Sequence, residues 1–252
     1  GEAAEERRLA SDGYSYTVGD FQSFDPEWWQ WSWERARRLA TSPAPAGLSL
    51  GRVGAEAAAE VLGELGPHWG SWGQRGLVEV GWSYYKGEYR EALDGQWKTE
   101  VPRAQPLQDF PKLRSLLVTA MEVLGQPPHG DTFEARLNVI CRHYLQNDSI
   151  PMHFDKKDWF EEDVYGCVLM NSSDRVLEFQ AAEGSQPKDG CYMLPEAPGA
   201  CFCQRGAARF EWKHGVGPLT RGERVSVTWR WFQSAAELSE AAPDGGGAGI
   251  GA

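Results

Sequence analysis

A change of hydrophobic period near residue 133 constrains this chain more than any other feature. Upstream of it, apolar residues recur at helical spacing. "PKLRSLLVTAMEVLG" places Leu113, Leu116, Leu117, Ala120, Met121 and Leu124 on one stripe and stops at Gly125. "GAEAAAEVLGEL" reads as a second helix, and "DPEWWQWSWERARRLA" as a third, with Asp25 as N-cap and Pro26 at the first helical position. Downstream, the pattern breaks into short segments with β-like composition: "LNVICRHYL", "DVYGCVLMN", "RVLEFQ", "GCYMLPE", "GACFCQRG", "RFEWKHGV" and "RVSVTWRWF". Helices followed by many short strands predict an α+β chain, with helices packed on one side of an antiparallel barrel or sandwich.

At 252 residues the chain is read as one domain over 21–233, helical over 21–132 and β-rich over 133–233. Residues 1–20 are polar and read as a flexible arm, and the Gly/Ala-rich stretch 234–252 as a disordered tail. Twelve Trp, eight Tyr and ten Phe supply the apolar mass of a folded core. No run approaches the roughly 18 apolar residues of a membrane span, and the start lacks the apolar segment of a secretory signal. The expectation is an intracellular protein, nuclear or cytoplasmic, and a monomer; because the chain starts at Gly1, a removed targeting peptide and an organelle stay open. Five cysteines, an odd number with no CxxC pair, fit a reducing compartment better than a disulfide framework. The formal charge of −11 opposes long-range attraction to a polyanion but permits a local basic groove.

Two stretches carry chemistry. In "PMHFDKKD", strand alternation puts His153 and Asp155 on one face and Phe154 on the other. Far downstream, "EWKHGVG" offers His214. Two imidazoles and one carboxylate hold a divalent iron without saturating it, the set that suits Fe(II) oxygenases. A bland alternative is a solvated strand end. In "RVSVTWR", alternation separates Val225, Val227, Trp229 and Trp231 from Arg224, Ser226, Thr228 and Arg230. The polar face suits either an exposed sheet surface or the seat of a dicarboxylate, whose end an arginine fork grips with paired hydrogen bonds.

Together, "HYLQNDSIPMHFDKKD", "WKHGV" and "RVSVTWR" resemble, in order and spacing, the signature of the AlkB-like branch of the iron- and 2-oxoglutarate-dependent dioxygenases. The likeness runs from about Gly81 to Phe232. It implies a double-stranded β-helix (jelly-roll) core, with His153, Asp155 and His214 as ligands of Fe(II). It also implies Arg224 on the distal carboxylate of 2-oxoglutarate, Arg230 near the metal-proximal end, Tyr144 on the same co-substrate, and Ser226 and Thr228 lining its pocket. With dioxygen as second co-substrate, the implied reaction couples decarboxylation to succinate with hydroxylation of a C–H bond; on an N-methyl group this releases formaldehyde. The chain departs from the family pattern at Arg142, where Asn is usual, at Asn147, where Gly is usual, and in "VLMNSSDR".

Upstream, "GWSYYKGEY" is similar to the family's nucleotide-recognition lid, with Trp82 and Tyr89 at the spacing of the residues that flank a flipped base. An aromatic strand covering the core explains the same residues equally well. His143 and His68 are assigned to structure. The leading expectation is an oxidative demethylase of alkylated single-stranded DNA or RNA, with Lys86, Lys98 and Arg103 as local phosphate contacts. The alternatives are a hydroxylase of a protein side chain or small molecule, and a silent binding module that keeps the fold.

Overall fold

The computed structural model of the chain describes residues 6–10, 14–24, 26–70, 75–83, 104–126 and 133–233. Its strands, in chain order, are β1 (Arg7–Leu9), β2 (Ser15–Thr17), β3 (Arg37–Thr41), β4 (Leu48–Arg52), β5 (Leu77–Gly81), β6 (Leu137–Tyr144), β7 (Ile150–His153), β8 (Val164–Asn171), β9 (Glu178–Ala181), β10 (Gly190–Met193), β11 (Ala200–Gln204), β12 (Trp212–Val216) and β13 (Arg224–Trp231). They form a six-stranded sheet in the order β4-β11-β8-β13-β6-β5 and a seven-stranded sheet in the order β2-β1-β3-β10-β9-β12-β7. Within them, β6 to β13 make two four-stranded layers, β11-β8-β13-β6 and β10-β9-β12-β7, wound as a double-stranded β-helix. The fold is therefore α+β with a jelly-roll core.

The helical stripe expected from the sequence packs as drawn. The helix Pro111–Val123 begins with Pro111 in its first turn, and Gly125 follows at φ 72°, a conformation that glycine adopts without strain. Leu113, Leu116, Leu117, Ala120 and Met121 join Val61 and Leu65 of the helix Ala55–Leu65 in one buried cluster with Val225, Val227, Trp229 and Trp231. The apolar face of β13 thus meets the helices, and its polar face turns into the space between the two layers. Burying four such large side chains stabilises that contact by roughly 1.5–3 kcal/mol each.

Three local expectations change. The tryptophan-rich helix ends at Arg35, and residues 37–41 become β3, which pairs with β1 and, in parallel, with β10. Ladder hydrogen bonds from two neighbours outweigh local helical spacing there. Residues 7–9 and 15–17, inside the stretch read as a loose arm, are paired strands, and Tyr14, Tyr16 and Phe21 form a small buried cluster. Finally, "RFEWKHGV" is divided: Gly206–Phe210 is a short helix, and the strand starts at Trp212.

Candidate metal and co-substrate site

Strand β7 ends at His153, so Asp155 lies in the segment that follows rather than on the strand itself. The two still converge: Asp155 is buried, while Phe154 between them is exposed. His214 lies in the middle of β12, directly across the ladder from His153. Its Nε2 lies 3.3 Å from Asp155 Oδ2, and the imidazole centroids of His153 and His214 are 4.5 Å apart. One nitrogen from each histidine and one Asp155 oxygen fall within 4.8 Å of one another, close to the spread that donors about 2 Å from a single ion require. Among the described residues no other group of three His, Cys, Asp or Glu converges in this way.

Protonation favours ligation. His153 Nδ1 is 2.7 Å from the Pro151 carbonyl, which only accepts, so Nδ1 carries the proton and Nε2 keeps its lone pair. Burial holds the His153 imidazole below its ordinary range, and neighbouring His214 adds to this. Burial alone would raise the Asp155 carboxyl; Arg230, together with His214 and Arg209, more than reverses it and keeps the group well below the usual carboxylate range. His214 Nδ1 is buried without a hydrogen-bond partner among the described residues. Two imidazoles and one ionised carboxylate form a donor set that fits Fe(II) and leaves room on the ion.

Asp155 is gripped from several sides. Arg230 donates to Oδ1, Gln204 Nε2 donates to Oδ2 at 3.0 Å, and Arg209 Nη1 stands 3.6 Å from Oδ2. Arg209 is buried on the short helix before β12, a placement its reading as part of a strand concealed. Gln204 at the end of β11 was not singled out either; neither residue carries a motif of its own.

From His153, Asp155 and His214 a cavity of about 320 Å³ runs between the layers. His153, Asp155, His214, Tyr144, Arg224, Ser226, Thr228 and Arg230 all line it. The polar face of β13 is therefore the inner wall, not an outer surface. Arg142 lines it too, one strand over, opposite Ser226 in the β6–β13 register.

At the end marked by Arg224 the structure adds a residue the sequence did not point to. Glu196 accepts from Arg224 Nε at 2.9 Å and from Nη2 at 2.6 Å, a bidentate pair with both side chains buried. Asn171 Nδ2 and the Leu177 backbone N–H also donate to Glu196, at 2.7 and 3.0 Å. Arg224 Nη1 donates to Ser226 Oγ at 2.8 Å. Burial would lower the charge preference of Arg224, but Glu196 outweighs it and the guanidinium stays protonated. Glu196 sits in "LPEAPGA", a proline-flanked turn with no spacing relation to any other site residue.

Trp82 stands off the cavity wall, packed with Trp159 against Phe160 and Phe232. Phe160 in turn lies under Arg230, 4.1 Å from ring centroid to guanidinium carbon. Tyr89, Lys86, Lys98 and Arg103 fall outside the described residues. His143 pairs with Glu223 and His68 with Gln105, both away from the cavity. Asn147 adopts φ 70°, the left-handed turn its position requires.

No protein-family pattern matches the chain. An uncharacterized protein of Acanthamoeba polyphaga mimivirus is 26% identical over 134 residues, which cover 48% of this chain and 58% of that protein. The chain thus spans less than two thirds of that relative's length. Among solved structures it is similar to a prolyl-4-hydroxylase of Pseudomonas putida, at 16% identity and a TM-score of 0.48, covering 74% of this chain and 93% of the other. It is also similar to an oxidoreductase of the 2OG-Fe(II) oxygenase family from Burkholderia pseudomallei, at 19% identity and a TM-score of 0.34, covering 49% and 57%. These likenesses are too distant to carry a function to this chain.

Proposed function

We propose that the protein is an Fe(II)- and 2-oxoglutarate-dependent dioxygenase. One observation carries the reading: the His153, Asp155 and His214 cluster opens onto the same cavity whose wall presents Arg224, Ser226, Thr228 and Arg230. A metal centre and an anion seat would share one cavity, as a chelating dicarboxylate needs. When bound, iron would supply dioxygen activation coupled to decarboxylation of the 2-oxo acid and hydroxylation of a C–H bond. The chain's own residues do the rest. His153, Asp155 and His214 hold the ion, Arg230 fixes the orientation of Asp155, and Tyr144, Ser226 and Thr228 orient the co-substrate along the wall.

The substrate reading is an N-alkylated nucleobase in single-stranded DNA or RNA, demethylated with release of formaldehyde. The likeness of "GWSYYKGEY" to a nucleotide-recognition lid supports it, although Trp82 itself packs with Trp159 against Phe160 and Phe232 rather than on the cavity wall. The second reading, hydroxylation of a protein side chain or small molecule, is favoured by the net charge of −11. Succinate and formaldehyde release would be compared across methylated oligonucleotides, peptides and metabolites, with Trp82→Ala alongside. Formaldehyde from oligonucleotides, reduced in Trp82→Ala at unchanged 2-oxoglutarate affinity, is the expected result. Succinate release stimulated only by peptides or metabolites would move the substrate to the second class.

A further inference from the structure

The pairing of Arg224 with Glu196 alters the charge at the inner end of the cavity. The edge of a guanidinium best suited to a carboxylate is its Nε/Nη2 side, and here Glu196 occupies it. Because Asn171 and the Leu177 backbone hold the same carboxylate, Glu196 is built in rather than loosely placed. Arg224 and Glu196 together carry no net charge, so Arg224 alone gives an incoming carboxylate hydrogen bonds but little electrostatic attraction.

The neighbouring strand supplies what is missing. Arg142 stands opposite Ser226 on β6, half-buried, on the same cavity wall. Its guanidinium carbon is 5.5 Å from the Tyr144 ring centroid, and that of Arg224 is 5.2 Å from the same ring. One tyrosine thus has two guanidiniums against it, one neutralised and one not. Among the described residues, Arg142 has no carboxylate within ion-pair distance. A half-buried cation on a cavity wall is placed to meet an anionic ligand with paired hydrogen bonds.

We propose that Arg142 is the cation that fixes the distal carboxylate of the co-substrate, together with the edge of Arg224 that Glu196 leaves open. This rests on the dioxygenase reading and adds to it a residue that sets specificity for a dicarboxylic over a monocarboxylic 2-oxo acid. The proximal end of either acid meets the metal and Arg230 alike; only the distal carboxylate distinguishes them.

The test uses calorimetric titration of the Mn(II)-loaded protein with 2-oxoglutarate and with 2-oxopentanoate, which has the same chain but no distal carboxylate. The wild type should prefer 2-oxoglutarate. Arg142→Met keeps the stem and removes the charge, and it should reduce that preference about tenfold or more, chiefly through weaker 2-oxoglutarate binding. Arg142→Gln, run beside it, should do the same and serves should the Met variant fold poorly. An unchanged preference in a folded variant overturns the inference while the dioxygenase reading stands, as does an equal loss for both acids. Wild-type protein that binds neither acid overturns both.

Discussion

His214 faces His153 directly across the β7–β12 ladder, with ring centroids 4.5 Å apart. Two imidazoles this close repel one another when both are protonated, and a shared cation removes that conflict. Truncating either should cost divalent metal affinity by more than the 10- to 100-fold typical of lost outer partners. His153 is only half-buried, so His153→Ala should lose metal with little change in melting temperature. Asp155→Ala should behave differently, because it leaves Arg230 and buried Arg209 without their carboxylate. That is expected to cost about 3–5 kcal/mol of stability in addition to the metal. Denaturant unfolding, with metal content measured on the same samples, separates the two effects.

Arg224 and Glu196 are expected to fail singly and recover jointly. Arg224→Met leaves the Glu196 carboxylate buried with two neutral donors and no cation, and should destabilise the fold by about 3–5 kcal/mol. Arg224→Met combined with Glu196→Gln should regain most of that stability and still bind 2-oxoglutarate poorly. A double-mutant cycle in urea, with co-substrate titrations on each variant, would check both halves.

Much of this was legible in the sequence, for identifiable reasons. The β13 alternation and the stripe on Pro111–Val123 were readable because each follows a single period over eight or more residues, and they pack against each other. The convergence of His153, Asp155 and His214 was readable because the three lie in short segments whose order and spacing can be compared with a known signature. Glu196 was not, since a turn residue reaches Arg224 only through the way β9 and β10 return beneath β8, and no local pattern encodes that path. Arg209 was hidden because "RFEW" alternates like a strand while tertiary contacts hold it as a helical turn. β3 was missed for the converse reason: tryptophans at helical spacing precede it, and its strand state depends on partners nearly 30 residues upstream and 150 downstream.

The five cysteines are all buried and unpaired. Burial pushes the Cys201 and Cys203 thiols up to about 11 and raises Cys141, Cys167 and Cys191 further. Even for Cys201 and Cys203, about one thiol in a thousand is ionised at pH 8. A thiol-reactive chromogenic disulfide should therefore modify native protein slowly at pH 8 and titrate five thiols at once in denaturant. Rapid modification of the native protein would mean that the layers around β11 open readily.

The central claim is that one cavity holds both a metal and an anionic co-substrate, and anaerobic titration of 2-oxoglutarate tests it most directly. With Fe(II) present, one equivalent should bind, and binding should weaken at least about tenfold when the metal is withheld or when His214→Ala removes a ligand. Binding that is absent with Fe(II), or equally strong without it, would contradict the account.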